Sequence, residues 1–215
     1  MGKKTVVVVG AGPGLGNHIA EAFGTNGFRV VLMARREEKL REYVEQLTAK
    51  GIEAEYQVVD CASNASIISA FDAVKEKYGV VDVLEYNAAV LQGGLATVIA
   101  PEELAARYQV DVAGALCAAQ QVIPGQKEKG SGAVLFTGGG LALAPASHAT
   151  SISLHKAALR ALTFAMHDEL KESGVFVGIV NVKGGVGMDD YYAPEKIAKL
   201  FYQLYTEQKT VEITY

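Results

Sequence analysis

The stretch Gly10-Ala11-Gly12-Pro13-Gly14-Leu15-Gly16 joins two segments of opposite character. Before it, Thr5–Val9 is an unbroken apolar run stopped by glycine, the pattern of a parallel strand buried on both faces. After it, Leu15, Ile19, Ala22 and Phe23 recur at helical spacing through 14–26. A glycine-rich turn between a strand and a helix has a specific physical use. The helix amino terminus carries unpaired N–H groups and the positive dipole end, and glycines let a phosphate approach the backbone.

The same alternation continues to the other end of the chain. Apolar or alternating runs at 28–34, 53–59, 80–86, 133–137 and 175–182 read as strands, and 211–214 as a closing one. Helical segments are predicted at 37–50, at 63–78 behind a capping Ser63, and at 101–123, 150–173 and 194–207. Six or seven strands separated by helices predict an α/β fold, a Rossmann-type doubly wound parallel sheet. No Pro/Ser-rich linker, composition shift or internal repeat divides the 215 residues, so 1–215 is expected to be a single domain.

Bulk properties narrow the function by exclusion. The net charge is −4, and acidic and basic residues mix on the predicted surface helices without forming a basic stripe, which argues against nucleic acid. No apolar run approaches membrane-spanning length, and the start is too short for a signal-peptide core. Cys61 and Cys117 lie far apart, and the four histidines form no HExxH or comparable set, so no metal is expected. Free thiols suit a reducing compartment, and the cytoplasm is the expected location.

The glycine spacing 10-xxx-14-x-16 resembles the turn of the short-chain dehydrogenase/reductase family, and further positions match in order. Asp60 ends the third strand, where the family has an aspartate near the adenine. Asn87-Ala88-Ala89 resembles its Asn-Ala-Gly turn, with Ala89 for glycine. The sixth strand runs into Gly184-Gly185, with Gly184 for proline. The resemblance covers essentially the whole chain. It implies cofactor contacts from Gly10, Gly12, Gly14, Leu15, Gly16, Asp60, Asn87 and Lys156, self-association as a homodimer or homotetramer, and a small-molecule substrate. Residues 186–193 form a shorter substrate loop than the family commonly has, which would leave the cleft more open. The small-residue stretch 113–119 would permit close packing between subunits, although packing within the chain explains it equally.

The choice of dinucleotide rests on charge. An NAD enzyme places an acid after the second strand to accept from the ribose 2′-OH. Here the chain reads Ala34-Arg35-Arg36, with no acid until Glu37. A guanidinium grips a 2′-phosphate with two parallel bonds, so NADP is preferred over the alternative, NAD, with Arg35 as its principal contact.

Catalysis is where the resemblance breaks. Family members use a tyrosine as proton donor, a lysine four residues later that lowers its pKa, a serine thirteen residues before it, and an asparagine on the fourth helix. Registered on Lys156, these positions hold Ile152, Gly139 and Asp111. Lys156 is retained and is expected to hold the nicotinamide ribose. Replacement proton donors are His148, Tyr192 with its neighbour Tyr191, and Thr137; His155 is expected to point about 100° away from Lys156 around the helix. The triplet Gly138-Gly139-Gly140 leaves room beside the nicotinamide unless Leu141, Leu143 or Tyr192 fills it. Two functions stay open: an NADP-dependent oxidoreductase with a non-standard proton donor, and a non-catalytic NADP(H)-binding sensor or regulatory subunit.

Overall fold

A computed structural model describes residues 2–215. Seven strands form one parallel sheet in the order β3-β2-β1-β4-β5-β6-β7. In chain order the elements begin with β1 (Thr5–Val9), α1 (Leu15–Gly24), β2 (Arg29–Ala34), α2 (Glu37–Ala49), β3 (Ala54–Val58), α3 (Asn64–Tyr78) and β4 (Val83–Tyr86). They continue with α4 (Pro101–Tyr108), a π-helical turn (Gln109–Ala113), α5 (Gly114–Lys129), β5 (Gly132–Gly139), α6 (Thr150–Leu170), β6 (Val175–Val182), α7 (Pro194–Glu207) and β7 (Glu212–Thr214).

The valine run of β1 shows why the sheet is buried on both faces. Val6 and Val8 pack with Ile19 and Phe23 of α1, Leu40 of α2 and Phe201 of α7. Val7 and Val9 face the other way, with Ile67 and Phe71 of α3, Ala118 of α5 and Leu159 of α6. Period-2 alternation therefore feeds two separate cores, and all five residues of β1 are buried. The crossover from the β3 side to the β4 side places β1 and β4 side by side at the centre, and their carboxyl ends open the crevice where such sheets bind ligands.

Most expected elements fall within a few residues of their predicted bounds. Ser63 caps α3, its hydroxyl accepting from Ser66 N at 3.2 Å. The segment expected to be helical at 101–123 is interrupted instead by the π turn, which buries Asp111 and Val112. The small residues after it turn inward: Gly114, Ala115, Ala118 and Ala119 are buried against the core. A Cβ on Gly114 would lie 2.7 Å from the Tyr86 hydroxyl, so packing within the chain explains this stretch. Among the described residues no helix is long and apolar enough to cross a membrane.

Candidate functional site

A cleft of roughly 1190 Å³ runs along the carboxyl ends of β1, β2, β4 and β5. It is larger than the roughly 300–1,000 Å³ of an ordinary small-ligand pocket. The glycine turn forms one wall, and each glycine there has a distinct job. Gly10 has φ +90°, and a Cβ would sit 2.4 Å from Ala88 N. It makes the tight turn possible. Gly16 brings α1 against the sheet, since a Cβ there would meet Gly10 O at 2.6 Å. Gly12 and Gly14 face open space, with nothing within 4 Å of an added Cβ. Gly14 precedes α1 with no side-chain cap, so the helix end presents bare N–H groups to the cleft. This is a cradle for a pyrophosphate, and the residues present fit a dinucleotide.

Asn87 fastens the cradle from the neighbouring strand. Its Nδ2 donates to Gly10 O at 3.0 Å, while its backbone N donates to Val9 O. Asp60 also lines the cleft, with Oδ1 accepting from Ala62 N at 3.0 Å. At the end of β2, Arg35 and Arg36 line the wall as expected, and Lys39 joins them from the first turn of α2. Glu37, the nearest acid, is occupied elsewhere. Arg41 Nη2 donates to it at 2.7 Å and the Tyr56 hydroxyl at 3.0 Å, and those bonds hold its carboxyl below the usual range. The corner is cationic.

The opposite end of the cleft gathers Thr137, Gly138, Gly139, Ile152, Lys156 and Lys183. Lys156, from the first turns of α6, is buried, and its Nζ donates to Thr137 O at 2.6 Å. Burial lowers its pKa, while Asp111 and then Glu85 oppose the shift. A Cβ on Gly139 would lie 3.4 Å from Lys156 Cγ, so positions 139, 152 and 156 share one wall. The other two glycines leave no room. Asn181 Oδ1 stands where a Gly138 Cβ would go, and Lys183 where a Gly140 Cβ would go. Neither Leu143 nor Tyr192 fills this end; Leu141 lines it.

Asp111 lies behind this wall. Its Oδ1 accepts from Val90 N at 2.7 Å, and its Oδ2 bonds His155 Nδ1 at 2.8 Å. His155 thus faces away from the cleft, in agreement with its helical phase.

Of the expected substitute donors, Thr137 lines the cleft but spends its hydroxyl hydrogen on Glu85, and the others are placed elsewhere. His148 precedes α6, is exposed, and contributes only its carbonyl, which accepts from Gly94 N at 2.9 Å. The helix begins at Thr150, so His148 shares no face with Ile152. Tyr192 packs its ring edge over Gly184 and against Tyr215, and Tyr191 stacks on Tyr215 with ring centroids 4.6 Å apart. Neither tyrosine lines the cleft, because aromatic packing at the sheet edge consumes both.

Two features escaped sequence reasoning. Lys39 was legible as one turn beyond Arg36. Glu85 is the larger omission. It sits mid-strand in β4, fully buried, and its Oε1 accepts from Thr137 Oγ1 at 2.7 Å. Its Oε2 has no partner among the described residues. Burial pushes its carboxyl up to about 8, against the opposing effects of Thr137 and Lys156. A lone acid inside an apolar strand was the available signal. Among the described residues no three His, Cys, Asp or Glu side chains gather as a metal site.

A glycine cradle at the crevice of a doubly wound sheet, with a cationic corner and a buried lysine, defines a dinucleotide-binding protein of the Rossmann class. The short chain dehydrogenase family matches residues 4–187, and the chain belongs to that family of oxidoreductases. It is 27% identical over 178 residues to 2,3-dihydro-2,3-dihydroxybenzoate dehydrogenase of Bacillus subtilis (strain 168), covering 83% of this chain and 68% of that one. A variant of actinorhodin polyketide ketoreductase, crystallised with NADPH, superposes with a TM-score of 0.92 at 25% identity, over 99% of this chain and 95% of that one. A metagenomic short-chain oxidoreductase in complex with NADP gives 0.89 at 28% identity, over 99% and 95%.

Proposed function

We propose that this protein is an NADP(H)-dependent oxidoreductase that reduces an apolar carbonyl or quinone compound, with Lys156 as the proton donor. The observation that carries the reading is the buried Lys156 amine in the cleft wall beside Gly139 and Ile152, positions with no protic side chain. Arg35 and Arg36, paired with no acid among the described residues, support NADP over NAD; Lys39 lies beside them but is paired with Glu42, and Glu37 is held by Arg41. The NADP and NADPH complexes of the two similar structures agree with this choice.

In this reading the glycine cradle and the α1 amino terminus hold the pyrophosphate, Arg35 holds the 2′-phosphate, and Asp60 and Asn87 flank the adenine and the turn. The bound dinucleotide supplies a hydride to the substrate carbon. Lys156 holds its ammonium with one hydrogen on Thr137 O, which leaves two hydrogens for the ribose and for the substrate oxygen. As the carbonyl oxygen gains negative charge, an Nζ–H bond breaks and an O–H bond forms, leaving a neutral amine that solvent reprotonates. Desolvation favours this release by lowering the Lys156 pKa.

Substrate character follows from the mouth. Leu91, 77% exposed, lines the cleft with Leu141 and Val186, and Met188 stands 80% exposed beside them. Only residues 183–193 separate β6 from α7, a short lid that leaves this apolar rim open. The exposed Leu116, Leu154 and Phe164 on the outward faces of α5 and α6 support the proposal that the protein self-associates there. The two cysteines are free and buried, which suits the cytoplasm.

The test is a fluorescence titration with NADPH and NADH, followed by NADPH oxidation over a panel of quinones and apolar ketones. NADPH binding tighter than NADH, with turnover abolished by Lys156→Met, is the expected result. Tight NADPH binding without turnover on any acceptor would leave the non-catalytic, nucleotide-sensing alternative in its place.

A further inference from the structure

Glu85 has no part in the chemistry described so far, yet it is a fully buried carboxyl in an otherwise apolar strand. A carboxyl projecting from a strand of a sheet that is covered on both faces loses its hydration. One oxygen is held by Thr137 Oγ1 at 2.7 Å, and the other is unpartnered. Thr137 is also the residue whose carbonyl receives Lys156 Nζ at 2.6 Å. One threonine therefore ties a buried acid and a buried base to the same point of the cleft floor.

The surroundings leave few other sources of charge. On one side of Glu85, β1 presents valines; on the other, β5 presents Thr137; above, α6 presents Lys156. Asp111, in the π turn, also faces Lys156, but both its oxygens are taken, by Val90 N and by His155. Of these two acids, only Glu85 retains an oxygen without a partner among the described residues.

We propose that Glu85 is a positioning residue for Lys156: the buried carboxyl, fixed by Thr137, supplies the counter-charge that keeps the lysine an ammonium toward the cofactor. Once the pH is high enough to ionise the carboxyl, the resulting anion stabilises the neighbouring cation against the desolvation that lowers its pKa. The proposal rests on the reading that Lys156 faces a bound dinucleotide.

The experiment follows NADPH affinity by fluorescence from pH 6 to pH 10 in the wild type and in Glu85→Gln, which keeps an acceptor for Thr137 but cannot ionise. The expected result is an alkaline loss of affinity whose midpoint falls by about one pH unit in the variant. An unchanged midpoint overturns the proposal, as does an equal loss of affinity at every pH, which a merely structural role would produce. The lysine Cε resonance, titrated by NMR without cofactor, separates the two readings: its midpoint should fall in Glu85→Gln whether or not NADPH binds. If NADPH fails to bind the wild type while that resonance shifts, the cofactor reading fails and the charge coupling stands. Should Glu85→Gln not fold, Thr137→Val removes the bond that steadies the carboxylate and should move the lysine midpoint in the same direction. Thr137→Ser should restore it, and no movement in Thr137→Val overturns the proposal.

Discussion

Replacing Ile152 by tyrosine and Gly139 by serine together should raise carbonyl reduction by about 10²–10⁴-fold, the usual contribution of a positioned general acid. In barrier height that is about 3–5 kcal/mol. The structure accommodates both changes. Gly139 has φ −164° and ψ 149°, extended backbone that any residue adopts. A Cβ there meets Lys156 Cγ, Cδ and Cε at 3.4, 3.6 and 3.7 Å, close to ordinary van der Waals contact. Ile152 lines the cleft one helical turn before Lys156, so a phenol at that position lies over the ammonium. A phenol titrating near ~10 needs that cation to donate and recover a proton near neutrality.

The assay is NADPH oxidation with a quinone and an apolar ketone, at saturating cofactor, for wild type, each single variant and the double variant. Ile152→Tyr should give most of the gain, and Gly139→Ser a further increase through a hydrogen bond to the substrate oxygen. Adding Lys156→Met should erase the gain. If the double variant binds NADPH with unchanged affinity yet gains less than about tenfold, the phenol is not being placed on the substrate. That result would refute the registration of positions 139 and 152 on Lys156.

Other substitutions test other parts of the site. Arg35→Ala should weaken NADPH by about 10–100-fold through loss of a charge-assisted bond and leave NADH unchanged, as read by fluorescence titration at fixed ionic strength. Gly10→Ala and Gly12→Ala should separate folding from binding. The first meets Ala88 N at 2.4 Å with φ +90° and should lower the melting temperature sharply or prevent soluble expression. The second meets nothing, and should keep the melting temperature while losing at least about tenfold in NADPH affinity by intruding on the phosphate path. Glu85→Gln should also change stability with a definite sign. The folded chain keeps a proton on Glu85 up to about pH 8, whereas the unfolded chain releases it near 4.5. Wild-type stability is therefore lost as pH rises through that window, and the variant's advantage in thermal melts should grow from pH 4.5 to 8 and then level off.

The fold was legible because its signals are local. The valine run of β1, the glycine turn and the helical spacing after it are contiguous, and each repeats along the chain as strand, turn and helix. The interruption at 109–113 was not legible. A π turn inserts one residue's worth of helix without altering composition, and Gln109-Val110-Asp111-Val112 reads as ordinary helix. Its effect is to turn Asp111 inward onto His155 and Val90 N, contacts 44 and 21 residues away.

The same distinction governs the site. Its cofactor half is built from segments whose residues are adjacent in sequence: the 10–16 turn, Arg35-Arg36 and Asn87-Ala88-Ala89. Their chemistry could be read in place. The other half converges from three elements, β4, β5 and α6, and its meaning lies in distances that no single segment contains. Glu85 and Thr137 are 52 residues apart, and Thr137 and Lys156 are 19 apart. An acid at position 85 looks like an error in an apolar strand until the parallel register sets β4 beside β5 and α6 lays Lys156 across the end of both. On the proposed reading they act together: a lysine without a neighbouring phenol keeps its charge with the help of the buried carboxyl once that group ionises. On that reading Ile152 and Glu85 both bear on the charge of Lys156, so altering either should move its titration.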